Sequence, residues 1–342
     1  MFFRKKKKNL VKEIKKGKAS GPEKVMISPT DACNLKCKTC WRLEKEDYNN
    51  IQDELSLGEV KRILKECKKL GVKSIDLTGG GEPFYRKTIF EIIKTAKKHG
   101  FEVTLTTNGT LLNEEKLKQL IRLGLDDICF SIESGNEEVN DALRGKGVYK
   151  RVKEAVESLN ELKKDSKKPV IRLATIITNK NYKNLDSLAD FAEKNKISTI
   201  SFSVLIEWEI NKELSMKKEK EALKILENLN KKLKDKKIFT NLDPILEYGM
   251  FEHEPPKLCA APWEMIFINS NGEVMACCTL ASHYENIIGN VKEEKLSKIW
   301  CGEKMNQFRK RMKNKEYFPE CKKCLPEFTE KYNKIYEQLK DE

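Results

Sequence analysis

Between residues 25 and 205 short apolar runs alternate with segments of helical period, and this alternation constrains the fold more than any other feature. The runs are Val25 to Ser28, Ser74 to Thr78, Phe101 to Thr106, Asp127 to Glu133, Val170 to Ile177 and Thr199 to Leu205. Near-continuous apolar runs of this length predict strands buried on both faces of a parallel sheet. The intervening segments carry apolar residues at i, i+3, i+4 spacing. Val60, Ile63, Leu64, Cys67 and Leu70 form one stripe, entered through a capping box in which Ser56 is followed by Glu59. Ile89, Ile92, Ile93 and Ala96 form the next, then Leu117, Leu120 and Ile121, then Val152, Val156, Leu159 and Leu162, then Leu188, Ala189 and Ala192. The pattern predicts an α/β protein, a partial (β/α)6 barrel of the TIM type, with Cys67 and Cys129 as buried thiols.

In such a barrel the reactive groups stand at the carboxyl ends of the strands. After the first strand comes Cys33-Asn-Leu-Lys-Cys37-Lys-Thr-Cys40-Trp41, three thiolates on one short loop. Thiolates at that spacing hold a soft metal or an iron–sulfur cluster. A closed zinc site wants four ligands. Three fit a [4Fe–4S] cube with the fourth iron open. The other strand ends carry Gly79-Gly80-Gly81-Glu82-Pro83, Asn108, and Ser131 with Glu133. A triple glycine lets a ligand approach the backbone or simply makes a flexible turn. Asn108 precedes Gly109, a turn-forming pair in its own right.

The chain of 342 residues is long enough for one large domain or two smaller ones. It has no run of eighteen apolar residues and no apolar amino-terminal segment, so neither a membrane span nor a signal peptide is expected. A cytoplasmic, reducing location follows, where eleven cysteines serve as ligands and buried thiols, not disulfides. The net charge of +14 comes mostly from lysines interleaved with glutamates on helical faces. That is a solvated surface of the kind seen in heat-adapted proteins. The block from Arg4 to Lys8 reads as a solvated tail, and no nucleic acid is expected as a partner.

The cysteine loop after the first strand, the Gly-Gly-Glu type turn after the second and the six β/α units together resemble a radical S-adenosylmethionine (SAM) enzyme over roughly residues 22–206. The resemblance implies a [4Fe–4S] cluster on Cys33, Cys37 and Cys40 whose open iron chelates SAM. Reductive cleavage of SAM would yield a 5′-deoxyadenosyl radical that abstracts a substrate hydrogen. It places Gly79, Gly80 and Gly81 against SAM's amino group, with Glu82 ordering that turn. Ser131 and Glu133 would reach the ribose or methionine end, Arg144 the carboxylate, and Asn108 is a further contact. The chain departs from the family at Thr39, where an aromatic is usual. Trp41 would cover the cluster or the adenine instead.

Beyond Leu205 the alternation stops. One amphipathic helix through Leu223, Leu226, Leu229 and Leu233 and three prolines, Pro244, Pro255 and Pro256, lead to a cysteine-rich module. Cys259, Cys277, Cys321 and Cys324 supply four thiolates around an Asn271-Gly272 hairpin turn. Read as residues alone, they suit structural zinc as well as a cluster. The spacing resembles the twitch domain, the shortened relative of the SPASM domain, which implies one auxiliary [4Fe–4S] cluster. Cys278 is a neighbour or an alternative ligand, and Cys301 is expected to pack. His99 caps a helix end, and His253 and His283 lie in irregular segments, so no catalytic residue is assigned.

The expected organisation is a basic tail (1–21), a radical SAM core (22–206), a helical linker (207–257), a twitch-like cysteine-rich α/β-hairpin domain (258–330) and a terminal helix (331–342). The expected function is substrate oxidation with the auxiliary cluster as electron acceptor, by analogy with aminocyclitol dehydrogenases. The alternatives are a maturase acting on a peptide or protein, and a non-catalytic zinc or cluster protein binding nucleic acid. Expected partners are a small-molecule or peptide substrate and a reducing donor of the flavodoxin or ferredoxin type.

Overall fold

In the computed structural model, residues 10–17, 19–44, 51–164, 166–250, 252–281 and 286–340 are described. Arg4 to Lys8 and His283 lie outside them. Six strands follow one another in parallel: β1 (Lys24–Ile27), β2 (Ser74–Leu77), β3 (Glu102–Thr107), β4 (Asp127–Ser131), β5 (Val170–Ile177) and β6 (Thr199–Val204). All six were legible as apolar runs, and a helix follows each of the first five, as a partial (β/α)6 barrel requires. The capping box is formed: Ser56 and Glu59 bond each other's backbone at the start of helix Leu57–Lys69. Cys67 and Cys129 are both buried.

The sheet does not stop at six. A short β7 (Phe239–Thr240) pairs with β6, inside the segment expected to be linker. On the opposite side β8 (Met265–Ile268) runs parallel to β1, followed antiparallel by β9 (Glu273–Met275) and β10 (Gly289–Asn290). The strand order is β10-β9-β8-β1-β2-β3-β4-β5-β6-β7. The carboxyl-terminal hairpin thus extends the core's own sheet from the free edge of β1. Its turn is the expected one, with Gly272 at φ +89°.

One expectation needs correcting. The strands are not buried alike on both faces. Val25, Ile27, Ile75, Leu77, Val103, Leu105, Ile128, Phe130 and Leu173 face the helices and are at most 1% exposed. Their alternates include Lys24, Asp76, Thr104, Asp127, Arg172 and Ser201, and are mostly only half-buried. A partial barrel keeps an interior that is not its core, and polar residues line that inner face. Ion pairs lie along it, Lys24–Asp76 at 3.4 Å and Arg172–Asp127 at 2.7 Å. Residues 10–16, expected within the tail, are helical, with Val11 and Ile14 buried in the core. Pro244 lies in the first turn of helix Leu242–Tyr248, where its missing N–H has no partner to lose. No helix among the described residues is long and apolar enough to cross a membrane.

Candidate functional site

The loop leaving β1 gathers Cys33, Cys37 and Cys40 as half-buried free thiols. Burial pushes all three thiols up, and each also feels another of the three: Cys33 feels Cys40, Cys37 feels Cys33, and Cys40 feels Cys37. Sulfurs crowded in a desolvated site suit a soft metal centre, which takes their protons and neutralises the thiolates. The loop is anchored from several sides. Lys38 donates its N–H to the Leu143 carbonyl at 2.8 Å, Cys37 Sγ lies 3.8 Å from the Arg144 carbonyl, and Asn108 Nδ2 lies 3.8 Å from Cys33 Sγ.

The glycine turn after β2 packs directly on this loop. A Cβ at Gly81 would lie 2.0 Å from the Ala32 carbonyl oxygen, and one at Gly80 would lie 1.9 Å from Asp31 Oδ1. Gly81 is therefore required by the backbone of the loop, whereas at Gly80 the obstacle is the Asp31 side chain. Gly81 donates its N–H to the Thr30 carbonyl at 2.8 Å and Gly80 to Ser28 Oγ at 3.0 Å. Glu82 is buried and accepts from Asn108 N (2.6 Å), Thr107 Oγ1 (2.7 Å) and Phe84 N (3.2 Å), clasping the end of β2 to the end of β3. Burial raises its carboxyl, against those three bonds. Asn108 bonds Thr110 and Asn34 and so both forms its turn and touches the cysteine loop.

Ser131 ends β4, half-buried. Glu133 and Arg144 form a buried ion pair, Nη1 to Oε1 at 2.9 Å, with side-chain exposures of 2% and 9%. Glu133 Oε2 accepts from Ile176 N at 2.7 Å, and burial raises its carboxyl. Arg144 Nε is buried with no partner, a donor left for a ligand. The structure thus brings Cys33, Cys37, Cys40, Gly79, Gly80, Gly81, Glu82, Asn108, Ser131, Glu133 and Arg144 to the carboxyl ends of adjacent strands.

Several supporting residues were not foreseen. Asn140 Oδ1 accepts from Glu133 N at 2.9 Å, and Asn181 Nδ2 donates to the Glu133 carbonyl at 2.8 Å. Arg42 is buried and donates to the Asp31 carbonyl, while Ser270 Oγ donates to Asp31 Oδ2 at 2.8 Å from the far hairpin. Asn140 lies on the inward stripe of helix Glu137–Arg144 beside Leu143, a signal the sequence did hold. The others carry no local signal.

Cys259, Cys277, Cys321 and Cys324 converge on one pocket in the carboxyl-terminal module, and Cys278 joins them. Tyr317, Phe328 and Tyr332 close it with apolar surface. Burial pushes the Cys259 thiol up to about 12 and that of Cys277 well above its usual value, and both feel neighbouring cysteines. Among the described residues no three His, Cys, Asp or Glu side chains stand close enough to hold one metal ion. A four-iron cube puts its thiolates on separate irons and needs no such convergence. Cys301, expected to pack, is exposed at the end of helix Leu296–Cys301 and away from the pocket. His99 ends its helix as expected, its ring 6.1 Å from that of Phe101. His253 stacks edge-on to Tyr248 at 5.8 Å.

Between the two cysteine groups lies an open cavity of about 240 Å³. Thr39 and Trp41 of the cysteine loop, Ile176 of β5, Ser203 of β6, and Cys278 and Lys323 of the carboxyl-terminal module line it.

The radical SAM superfamily model matches residues 27–192, and the model of the SPASM iron–sulfur cluster-binding domain matches residues 259–325. The chain belongs to the radical SAM superfamily and carries a carboxyl-terminal SPASM domain. Its cofactors are accordingly SAM with the iron–sulfur cluster that binds it, and auxiliary iron–sulfur in the second domain. The Fe-coproporphyrin III synthase of Methanosarcina barkeri is 28% identical over 299 residues, 81% of this chain and 73% of that one. The tungsten-containing aldehyde ferredoxin oxidoreductase cofactor-modifying protein of Pyrococcus furiosus is 27% identical over 315 residues, 86% of this chain and 85% of that one. Among solved structures, Streptococcus suis SuiB bound to S-adenosylmethionine shares the fold with a TM-score of 0.69 at 23% identity, over 93% of this chain and 76% of that one.

Proposed function

We propose that the chain takes a hydrogen atom from a small-molecule substrate held in the cavity between the two cysteine groups, and that the auxiliary centre accepts the electron left behind. The gathering of Cys33, Cys37 and Cys40 on the loop that borders this cavity carries the reading. When bound, the SAM cluster and SAM together supply a 5′-deoxyadenosyl radical. Cys33, Cys37 and Cys40 hold that cluster, and the turn at Gly79, Gly80 and Gly81, ordered by Glu82, receives SAM's amino end. Arg144 pairs with the carboxylate through the edge that Glu133 leaves free, and Ser131 and Asn108 face the same ligand. Cys259, Cys277, Cys321 and Cys324 hold the auxiliary cluster. Residues 22–206 carry the radical chemistry, 207–257 connect, and 258–330 house the second centre. The electron comes from a flavodoxin- or ferredoxin-type donor in a reducing cytoplasm.

The two relatives above support a small-molecule substrate, being named as a synthase of Fe-coproporphyrin III and as a cofactor-modifying protein. One observation favours a peptide instead. A second cavity, lined by Glu207, Met250, Glu252 and Pro326, shares Leu205, Lys323 and Leu325 with the first and lengthens the open space beside it.

Anaerobic reconstitution tests the assignment. The protein is expected to hold about eight irons per chain, two cubes' worth, and to release 5′-deoxyadenosine from SAM when reduced. The Cys321→Ala, Cys324→Ala double variant is expected to lose about half the iron and keep the absorbance of the SAM cluster. Zinc in place of iron, with no 5′-deoxyadenosine, would sink the reading.

A further inference from the structure

Five cysteines line the carboxyl-terminal pocket, one more than a cube with four protein ligands needs. Cys278 differs from the other four in where it faces. Of the five, Cys278 also lines the cavity beside the cysteine loop, together with Thr39, Trp41 and Ile176, whereas Cys324 borders only the adjoining outer space. Cys259 and Cys277 pack against the main core, whereas Cys278 packs on a separate apolar cluster of Phe267 and Met275 with Met26. That cluster is one register row of the sheet: Met275 opposes Phe267, Phe267 opposes Met26, and Met26 opposes Asp76. Asp76 completes the row with Oδ1 buried and without a hydrogen-bond partner.

We propose that Cys278 stands outside the ligand set of the auxiliary cluster as a free thiol of the reaction cavity, where it returns a hydrogen atom to a carbon radical that is not oxidised. This rests on the reading above that a carbon radical forms there. In the step, the S–H bond breaks, a C–H bond forms, and the sulfur is left one electron short. One electron from a low-potential reductant of the flavodoxin or ferredoxin class and one proton from water restore the thiol. The S–H bond is weaker than an aliphatic C–H bond, so the transfer runs downhill. It gives the radical a second exit that leaves the substrate unoxidised, beside the oxidising exit to the auxiliary centre.

The test uses the reconstituted holoenzyme with SAM alone as the probe, reduced with dithionite in D2O. An S–D at Cys278 is the exchangeable source facing the radical, so the 5′-deoxyadenosine formed carries deuterium. The Cys278→Ala and Cys278→Ser variants are expected to form 5′-deoxyadenosine but lose that label. Their iron per chain and the low-temperature electron paramagnetic resonance of both clusters are expected to match the native protein, while Cys277→Ala loses iron. Iodoacetamide on the holoenzyme is expected to alkylate Cys278 and leave Cys277 unmodified. Loss of auxiliary iron in Cys278→Ala, or a label that survives it, overturns the proposal. Cleavage of SAM by the native protein with no deuterium in the product overturns this proposal alone. No cleavage at all overturns the radical reading on which it rests.

Discussion

Replacing Arg144 by methionine keeps most of the volume of the side chain and removes its charge, leaving Glu133 buried without its cation. The pair is 2.9 Å apart, with side-chain exposures of 9% and 2%, so solvent screens it little. Removing one partner of such a pair costs about 3–5 kcal/mol. The bond from Ile176 N to Glu133 Oε2 survives and offsets part of this, which places the cost near the lower end, about 3 kcal/mol. For a chain of 342 residues, whose unfolding entropy is about 2.1 cal/mol/K per residue, that corresponds to a fall in Tm of roughly 4 °C. The pH dependence has a definite sign. Burial already raises the Glu133 carboxyl, and Arg144 pulls it back. Without Arg144 the carboxyl rises further, so its ionised form becomes more costly in the folded state than in the unfolded one. The deficit of the variant is therefore largest at neutral and alkaline pH and shrinks on acidification, as Glu133 takes up a proton. Urea unfolding at pH 8 and pH 5.5 measures it. The Glu133→Gln, Arg144→Met double variant, with no buried charge left, is expected within about 1 kcal/mol of the native protein. An equal deficit at both pH values, or a double variant no better than the single one, would refute the reasoning.

Two further perturbations test the loops that frame the pair. Gly81→Ala places a methyl group 2.0 Å from the Ala32 carbonyl oxygen, a backbone atom that moves only with the cysteine loop. It is expected to lose about half the iron, that of the SAM cluster, with the auxiliary cluster's spectrum retained; full iron loading would show that the loop yields. Glu82→Ala leaves Asn108 N–H, Thr107 Oγ1–H and Phe84 N–H without their acceptor in a buried site. It is expected to cost about 3 kcal/mol or more in urea unfolding, and a loss below about 1 kcal/mol would mean that water replaces the carboxylate.

What the sequence disclosed was local. The six strands, the capping box at Ser56 and the hairpin turn at Gly272 each follow from residues within a few positions of one another. The reason for Gly80 and Gly81 did not, because the atoms that exclude a side chain there belong to Asp31 and Ala32, some fifty positions earlier. The same holds for β8, whose pairing with β1 joins residues about 240 positions apart. Parallel pairing at that separation leaves no mark on either strand alone. The polar inner face was present as Asp76, Thr104, Asp127 and Arg172, but runs only four to eight residues long read as apolar on balance. The Gly-x4-Cys spacing from Gly272 to Cys277 leaves Cys278 as a neighbour or an alternative ligand, and its packing on Phe267 and Met26 shows which way it turns.

The placement of β8 also bears on how the two cysteine groups are held. β1 runs into the cysteine loop at one end and carries β8 along its edge, so Cys33, Cys37 and Cys40 on one side and Cys259 and Cys277 on the other flank one pair of parallel strands. The hairpin that follows β8 then reaches back. Ser270 Oγ bonds Asp31 Oδ2, its carbonyl accepts from Leu55 N at 2.7 Å, and Lys292 Nζ meets Asp53 at 2.6 Å. Asp31 in turn holds Arg42 and abuts Gly80. A module free to swing on a linker would leave the distance between its cysteines and the loop to chance. A module built into the same sheet, and bonded to the residue on which the glycine turn rests, fixes that distance. Electron transfer between two centres depends steeply on separation, so a fixed distance is what the transfer proposed above requires.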